Sequence, residues 1–264
     1  MPLISGLFFG IVIAAIAWRA GSLSKSGAFA AALNGGLIFG LGGIQWATLL
    51  LAFFISSSLL SKSFARRKAT LSEKFSKGSQ RDWGQVLANG GLGAALAILF
   101  LVFPEQEWIW FAFTGAMAAV NADTWATELG VLNPQPPRLI TTGVQVERGA
   151  SGGVSILGSV AALAGGAFIG FLAMLWSYDP FGWRILVAAM LGGLAGSFFD
   201  SLLGATVQAI YTCPVCQKET ERHPLHICGS PTRPLRGWSW LNNDLVNLSA
   251  SLIGAIVATV IWLL

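Results

Sequence analysis

Long apolar runs, interrupted by short polar segments rich in basic residues, dominate this sequence. Eight such runs occupy residues 2–18, 26–42, 44–61, 84–103, 107–131, 152–176, 183–210 and 244–264. Most are close to the roughly 20 residues that an α-helix needs to cross a bilayer. Charged residues make up 11% of the chain, against about 25% in a soluble domain, so a soluble fold is excluded. We therefore predict one all-α, polytopic membrane domain over residues 1–264, a glycine-rich helix bundle with about eight transmembrane spans.

The basic residues predict how these spans are oriented. Of the 16 lysines and arginines, 15 fall in the segments 19–25, 62–82, 132–151 and 211–243. Because cytoplasmic loops carry an excess of Lys and Arg, we predict that these four segments face the cytoplasm and that both termini lie outside. A nucleic-acid-binding role is not expected, since the basic residues only punctuate apolar runs. A re-entrant pair over residues 26–61 would leave the same loops inside, so that alternative stays open.

The cytoplasmic halves of the predicted spans contain four carboxylates, those of Asp123, Glu128, Asp200 and Asp244. Charges in hydrocarbon are costly and usually functional. In the predicted topology all four lie in the cytoplasmic half of the membrane and form one candidate site. Because Arg184 is the one basic residue within a run, we expect the acids to bind a cation, and Mg²⁺ prefers such oxygen ligands. The alternatives are isolated acids that face water at span ends, and a proton or Na⁺ pathway.

Next to these acids lies a segment suited to phosphate. Residues 148–153, Arg-Gly-Ala-Ser-Gly-Gly, precede most of the sixth run. Glycines such as Gly152 and Gly153 allow backbone N–H groups to approach an anion, and the positive end of the following helix adds to the attraction. Bidentate contacts to phosphate oxygens are predicted for three flanking arginines, Arg81, Arg148 and Arg236. A flexible entry into the helix would explain the glycines equally well.

The three cysteines fall within 16 residues of the last predicted cytoplasmic loop. Cys213 and Cys216 form a Cys-x-x-Cys pair, and His226 and Cys228 form a second pair further along. This is the ligand spacing of a structural zinc knuckle, and a reducing cytoplasm disfavours a disulfide. We therefore predict a structural Zn²⁺ site, with His223 as the alternative to His226. A redox pair and unliganded thiols are the other interpretations.

Several strings of the chain resemble one integral-membrane family. They are Ala-Asp-Thr-Trp-Ala-Thr-Glu-Leu-Gly at 122–130, Gly-Gly-Val-Ser at 152–155, Asp-Ser-Leu-Leu-Gly-Ala-Thr-Val-Gln at 200–208, Asn-Asp-Leu-Val-Asn at 243–247, and the segment 78–91. The family they resemble includes the phytyl-phosphate kinases of plants and cyanobacteria. The resemblance covers nearly the whole chain, and it departs from the family at Ala150-Ser151, where a threonine is expected after the glycine.

The resemblance implies that a nucleotide γ-phosphate is transferred to phytyl phosphate, or to a related prenyl monophosphate, to give a diphosphate for tocopherol-type synthesis. The implied partners are the prenyl-phosphate lipid, a nucleoside triphosphate with Mg²⁺, and the membrane lipids. Because a lipid phosphate is already nucleophilic at pH 7, the protein has to align it and neutralise charge. The implied ligands of Mg²⁺ are Asp123, Glu128, Asp200 and Asp244. The residues implied to position phosphates are Asn89, Asn121, Asn243 and Asn247.

A transporter or flippase of a prenyl-phosphate lipid or an ion is the principal alternative. It predicts carboxylates spread through the depth of the membrane and an inverted repeat. The faint similarity between residues 115–130 and 193–208 is parallel in the predicted topology, which disfavours this alternative. A cytidylyl- or alcohol-phosphatidyltransferase is disfavoured because its Asp-Gly-x₂-Ala-Arg signature is absent from the sequence.

Overall fold

The computed structural model describes residues 2–68, 80–177 and 182–264, and the chain is mostly helical there. The helices of these residues are α1 (Pro2–Arg19), α2 (Lys25–Lys68), α3 (Trp83–Val102), α4 (Glu107–Gly130), α5 (Ile156–Leu175), α6 (Trp183–Thr206) and α7 (Asn243–Leu263). Residues 69–79 of the predicted basic loop, and the start of the 78–91 string, lie outside the described residues.

Helix α2 consists of two arms joined at Gly43. Gly43 has φ 78° and ψ −167°, a backbone conformation that residues with a Cβ avoid. A Cβ on Gly35 would lie 3.7 Å from Leu50 Cδ2 in the other arm, which shows that the chain reverses at Gly43. The arms 25–42 and 44–68 therefore pack side by side. This is the break that the sequence predicts between its second and third apolar runs.

The prediction of a helical, polytopic membrane protein is confirmed, but the count of eight spans is not. Among the described residues, five helices are long and apolar enough to cross a bilayer, namely α2, α3, α5, α6 and α7. The apolar helix at Leu3–Arg19 is shorter, and α4 carries polar residues. The polar residues of α4 avoid lipid because that helix packs against all five of these apolar helices, and its residues 112–122 are buried.

Small residues and stacked aromatic rings set the packing of the bundle. A Cβ on Gly6 of α1 would approach the backbone of Gly40 in α2 to 2.5 Å, so the two helices pack more closely than any side chain would allow. In the core, the ring of Trp46 stacks on that of Phe113 with centroids 4.1 Å apart. These contacts join α1 to α2, and α2 to the central helix α4.

One end of the bundle, here called the loop end, gathers the connections at residues 20–24, 80–82, 131–155 and 207–242. Across it, Lys62 Nζ donates to the carbonyl oxygen of Ala20 at 2.8 Å, and Arg236 Nη1 donates to that of Gly204 at 2.7 Å. The described parts of the four segments predicted to face the cytoplasm therefore share one end of the molecule. That this end is the cytoplasmic one stays a prediction.

The opposite end holds the beginnings of α1 and α6 and the end of α7. Gly6 of α1 packs beside Gly40, three residues before the Gly43 break. Arg184 Nη2, in the first turn of α6, donates to the carbonyl oxygens of Ile261 and Trp262 at 3.3 and 3.2 Å. Arg184 is therefore remote from the acids of the predicted site.

Two small sheets lie in the loops. β1 (Arg138–Leu139) pairs antiparallel with β2 (Gly153–Val154), and β3 (Ile210–Cys213) lies between β4 (Lys218–Thr220) and β5 (Arg233–Arg236). The all-α prediction did not include these strands. Strands of two to four residues are too short to produce the alternating pattern by which a strand is recognised in a sequence.

Candidate functional site

A cavity of about 480 Å³, here called the site cavity, opens at the loop end. Ten of the predicted site residues line it: Arg81, Asn89, Asp123, Glu128, Arg148, Gly152, Gly153, Asp200, Asn243 and Asn247. They come from four helices and two connecting segments, so it is the tertiary fold that brings them together.

Asn121, predicted to position phosphate, does not line the site cavity. Its side chain is fully buried, and Nδ2 donates to the carbonyl oxygen of Gly165 in α5 at 2.8 Å. Its Oδ1 accepts from Ser56 Oγ of α2 at 3.0 Å. Asn121 therefore ties three helices together inside the bundle.

Arg236 and Asp244 also lie outside the lining. Arg236 is behind the glycine-rich segment, where Nη1 donates to the carbonyl oxygen of Gly204 and Nη2 to that of Ser151 at 3.4 Å. Asp244 is in the first turn of α7, where a negative charge interacts favourably with the helix N-terminus. Both residues support elements that contribute other side chains to the cavity.

Three carboxylates give the site cavity an acidic wall. Asp123 of α4 accepts from Ser197 Oγ at 3.5 Å, and Glu128 accepts from Ser61 Oγ at 2.7 Å. Asp200 of α6 lies close enough to Asp123 for the two charges to repel each other. Asp200 Oδ2 is buried and has no hydrogen-bond partner among the described residues. A buried, unpartnered carboxylate oxygen beside a second carboxylate fits a bound cation, and the all-oxygen donor set fits Mg²⁺.

The beginnings of three helices form another part of the lining. Helices α3, α5 and α7 start at the loop end, and Gln85, Ser155 and Asn243 line the cavity at or beside their first turns. A helix N-terminus presents N–H groups and a positive partial charge. The cavity therefore combines a wall that attracts cations with helix ends that attract anions.

The glycine-rich segment 148–155 is braced against the end of α6. Gly152 has φ 86°, and a Cβ there would approach the Cβ of Ala205 to 2.5 Å, so both its conformation and its close contact require glycine. Ser151 Oγ donates to Gln208 Oε1 at 2.9 Å. The segment is thus held by specific contacts, which disfavours its interpretation as only a flexible helix entry.

Two arginines line the site cavity and bring positive charge to it. Arg81 Nη1 donates to Ser58 Oγ at 2.9 Å, and its guanidinium lies 5.4 Å from the ring centroid of Phe54. Burial lowers the pKa of Arg81 to about 10, and the charge of Glu128 opposes that effect, so Arg81 is charged at neutral pH. Arg148 is exposed and donates to two loop carbonyl oxygens at 2.7 and 2.8 Å.

Gln208 and Glu221 line the site cavity but were not among the predicted site residues. Gln208 is 1% exposed, and its Nε2 donates to Glu221 Oε1 at 3.0 Å. Gln208 belongs to the 200–208 string, which is the signal that could have found it. Glu221 follows β4 in a polar loop, where an acid is expected to face water, so no signal in the sequence marks it. The other polar lining residues that the predicted site did not include are Ser61, Gln85, Thr124, Thr127, Ser151, Ser155, Ser159, Ser197 and Ser201.

The four predicted zinc ligands lie together beyond the site cavity. The ligand atoms of Cys213, Cys216, His226 and Cys228 are all within 4.8 Å of one another. The backbone N–H of Cys216 donates to Cys213 Sγ at 3.4 Å, and this hydrogen bond lowers the pKa of the Cys213 thiol. Three sulfurs and an imidazole nitrogen are a donor set suited to tetrahedral Zn²⁺.

His223 lies apart from this cluster. Its ring stacks on that of Tyr211 with centroids 4.3 Å apart, and its Nδ1 is 3.2 Å from Thr232 Oγ1. The structure therefore favours His226 over His223 as the fourth ligand. Cys213 ends β3 and Glu221 directly follows β4, so a metal in the cluster would brace the hairpin that carries Glu221 to the site cavity.

The chain has relatives along most of its length. It is 32% identical to Protein PGR of Arabidopsis thaliana over 96% of this chain and 95% of that protein. It is 30% identical to the uncharacterized membrane protein MJ0933 of Methanocaldococcus jannaschii over 95% of this chain and 90% of that protein. Protein VTE6, chloroplastic, of Arabidopsis thaliana is 24% identical over 89% of this chain and 64% of that protein. No solved structure matches the chain.

The family model for integral membrane protein DUF92 matches residues 8–255, a range that includes every residue of the site cavity and the cysteine cluster. This match and the relatives agree with the family that the sequence motifs resemble. The chain therefore belongs to the DUF92 family of integral membrane proteins.

Proposed function

We propose that this protein is a lipid-phosphate kinase, which transfers the γ-phosphate of a nucleoside triphosphate to phytyl phosphate or a related prenyl monophosphate. One observation carries the proposal: a single cavity at the loop end joins three carboxylates to two arginines and three helix beginnings. The match to VTE6 and the motif resemblance favour the same class of activity.

Asp123, Glu128 and Asp200 are the residues that would hold Mg²⁺ in this proposal. They supply carboxylate oxygens from two adjoining helices, and the buried Oδ2 of Asp200 has no hydrogen-bond donor among the described residues. When bound, the ion would neutralise negative charge on the phosphate oxygens. Asp244 is not assigned as a ligand, because it does not line the cavity.

The arginines and helix beginnings would bind and align the phosphates. Arg81 and Arg148 contribute fixed positive charge, while Asn243 and Asn247, one turn apart on α7, contribute amide donors. An oxygen of the lipid phosphate attacks the γ-phosphorus, and the bond to the β-phosphate oxygen breaks, releasing a nucleoside diphosphate. The attacking oxygen is already anionic at pH 7, so no general base is required. Catalysis then depends on alignment and on charge stabilisation.

The membrane setting supports a lipid acceptor. The site cavity lies at the end of a bundle whose helices are apolar enough to cross a bilayer. A prenyl phosphate in the same membrane would have its anionic group near that end and its hydrocarbon chain among the helices. The nucleotide would reach the cavity from the aqueous side.

The test is to incubate the purified protein in detergent with phytyl or geranylgeranyl monophosphate, each nucleoside triphosphate and Mg²⁺. We expect nucleotide-dependent formation of the prenyl diphosphate, detected by mass spectrometry, and its loss in Asp200→Asn. Failure to form diphosphate with any nucleotide would overturn the proposal. Movement of prenyl phosphate across reconstituted vesicles without phosphorylation would replace the kinase with the flippase.

A further inference from the structure

A second cavity, of about 330 Å³, lies between α1, the two arms of α2 and the beginning of α3. Most of its lining is apolar, and the polar residues that line it are Asn34, Arg81, Gln85 and Asn89. Arg81, Gln85 and Asn89 also line the site cavity. The two cavities therefore share a wall, and polar side chains mark their junction.

We infer that this second cavity, here called the tail cavity, binds the isoprenoid chain of the lipid phosphate whose phosphate group occupies the site cavity. The inference rests on the proposed function, because it takes the substrate to be a prenyl monophosphate. It adds where the hydrocarbon chain lies and which residues limit its length.

The depth of the tail cavity fits a lipid chain that belongs to one leaflet. On the second arm of α2 its lining runs from Phe54, near the junction, to Ile44, beside the Gly43 break. Ten residues of helix at about 1.5 Å each give a depth of about 15 Å. This is half of the roughly 30 Å hydrocarbon core, so a chain anchored at the loop end would reach the middle of the bilayer.

Arg81 makes the junction suited to the bond between phosphate and chain. Its guanidinium lies 5.7 and 5.4 Å from the ring centroids of Phe53 and Phe54, and it also borders the acidic wall through Glu128. The positive charge is thus available to an anionic phosphate, while the two rings continue as apolar surface. A molecule that is charged at one end and apolar along its length matches this change from a charged to an apolar lining.

Small residues leave room along the tail cavity for a branched chain. Gly35 and Ala47 face the cavity from the two arms of α2, and Ala14 faces it from α1. A Cβ on Gly35 would meet nothing nearer than Leu50 Cδ2 at 3.7 Å, an ordinary contact. A larger residue at position 35 would therefore occupy cavity space without displacing backbone.

The inference is tested by photocrosslinking, which needs no phosphotransfer. The probe is a C20 prenyl monophosphate with a diazirine at the end of its chain, added to the purified full-length protein. We expect adducts on tail-cavity residues near Ile44 and Phe9, detected by peptide mass spectrometry and abolished by excess phytyl phosphate. Adducts confined to other helices, or adducts that a phosphate-free alkane competes equally well, would overturn the inference.

Two glycine variants make the test specific. Gly35→Leu should lower competable crosslinking of the C20 probe about tenfold, since it removes space for several methylenes. Gly91→Leu is the matched control: it lies in α3, lines neither cavity, and a Cβ there would meet only Leu87 at 3.9 Å. Equal loss in the two variants, or no loss in Gly35→Leu, would contradict the assignment.

The test separates the two proposals. Adducts in the tail cavity without diphosphate formation would uphold the chain site and reject the kinase. Diphosphate formation with adducts elsewhere would uphold the kinase and reject the chain site.

Discussion

Asp123 and Asp200 lie on adjoining helices at the acidic wall of the site cavity. We predict that Asp123→Asn and Asp200→Asn each lower the rate of phosphate transfer about 10²-fold or more, the scale of a lost electrostatic contact in a partly dehydrated site. Both variants should insert and fold, because an amide is less costly in a membrane than a carboxylate. The measurement is the rate of diphosphate formation at saturating Mg²⁺ and nucleotide, together with thermal unfolding in detergent.

Glu107→Gln is the matched control for these variants. It makes the same carboxylate-to-amide change in α4 as Asp123→Asn, but in the first turn at the opposite end of the helix. Its activity should stay near that of the parent protein. Near-normal turnover in both aspartate variants would reject the magnesium-site interpretation and favour transport.

Single residues show which part of the site could be read from the sequence. Asp123, Glu128 and Asp200 stand out because charges are rare in apolar runs, and all three line the cavity. Asn121 is also a polar residue in an apolar run, yet it lies deeper in the bundle and donates to the carbonyl oxygen of Gly165 in α5. Helical spacing identifies polar positions but not the neighbouring helix that each one meets. Glu221 could not be found, since an acid in a polar loop is ordinary.

At the scale of elements, the break in α2 depends on one glycine. A Cβ on Gly43 would meet no atom of the described structure within 4 Å, so replacement is opposed by the backbone conformation alone. We predict that Gly43→Ala lowers the free energy of unfolding by about 1–3 kcal/mol, the usual cost of a strained backbone conformation. Thermal unfolding in detergent measures the effect.

The comparison for this variant is Gly91→Ala, in the middle of α3, where the backbone is helical. Alanine is favoured over glycine in a helix, so this variant should be as stable as the parent or slightly more stable. A Gly43→Ala protein as stable as Gly91→Ala would show that the reversal of the chain tolerates another conformation.

The cysteine cluster should hold a metal. We predict about one zinc per chain by elemental analysis, lost in Cys213→Ser and in Cys216→Ser, because each removes one ligand of a tetrahedral site. His223→Gln should keep its zinc, since His223 stacks on Tyr211 away from the cluster. Metal retained in both cysteine variants, or no metal in the parent, would reject the zinc site.

The limits of the helices were partly predictable from the apolar runs. The run 84–103 corresponds to α3 within one residue at each end, whereas 152–176 begins before α5 and 183–210 continues past α6. The differences have a local cause. Val154 and Ile210 belong not to helices but to short strands at the loop end. Apolar character marks burial, and burial continues into loops that fold back on the protein.

At the scale of the whole molecule, orientation in the membrane is the property to test. We predict that a cysteine at Thr142, exposed at the loop end, is not labelled by an impermeant maleimide added to intact cells, because the basic residues predict a cytoplasmic loop end. A cysteine at Glu105, exposed between α3 and α4 at the opposite end, should be labelled. The reverse pattern would place the site cavity outside the cell.

The basic residues predicted that the loops gather at one end of the bundle. This prediction was more reliable than the number of spans inferred from the lengths of the apolar runs. Four basic segments were expected on one side, and their described parts share one end of the bundle. The number of spans was harder to predict, because α4 is shielded by its neighbours and carries polar residues that a helix facing lipid would not tolerate.

The wide spacing of the cavity residues along the chain has a consequence for biosynthesis. Ser61 comes from α2, whereas Asn243 and Asn247 come from α7, which the ribosome produces after every other helix described here. A nascent chain that has inserted α1 to α6 already carries the acidic residues but lacks one of the three helix beginnings. The cavity is completed when α7 packs against α4. The proposed nucleotide site would therefore be complete only at the end of synthesis, and a chain stalled before α7 would remain in the membrane as a bundle with an incomplete cavity.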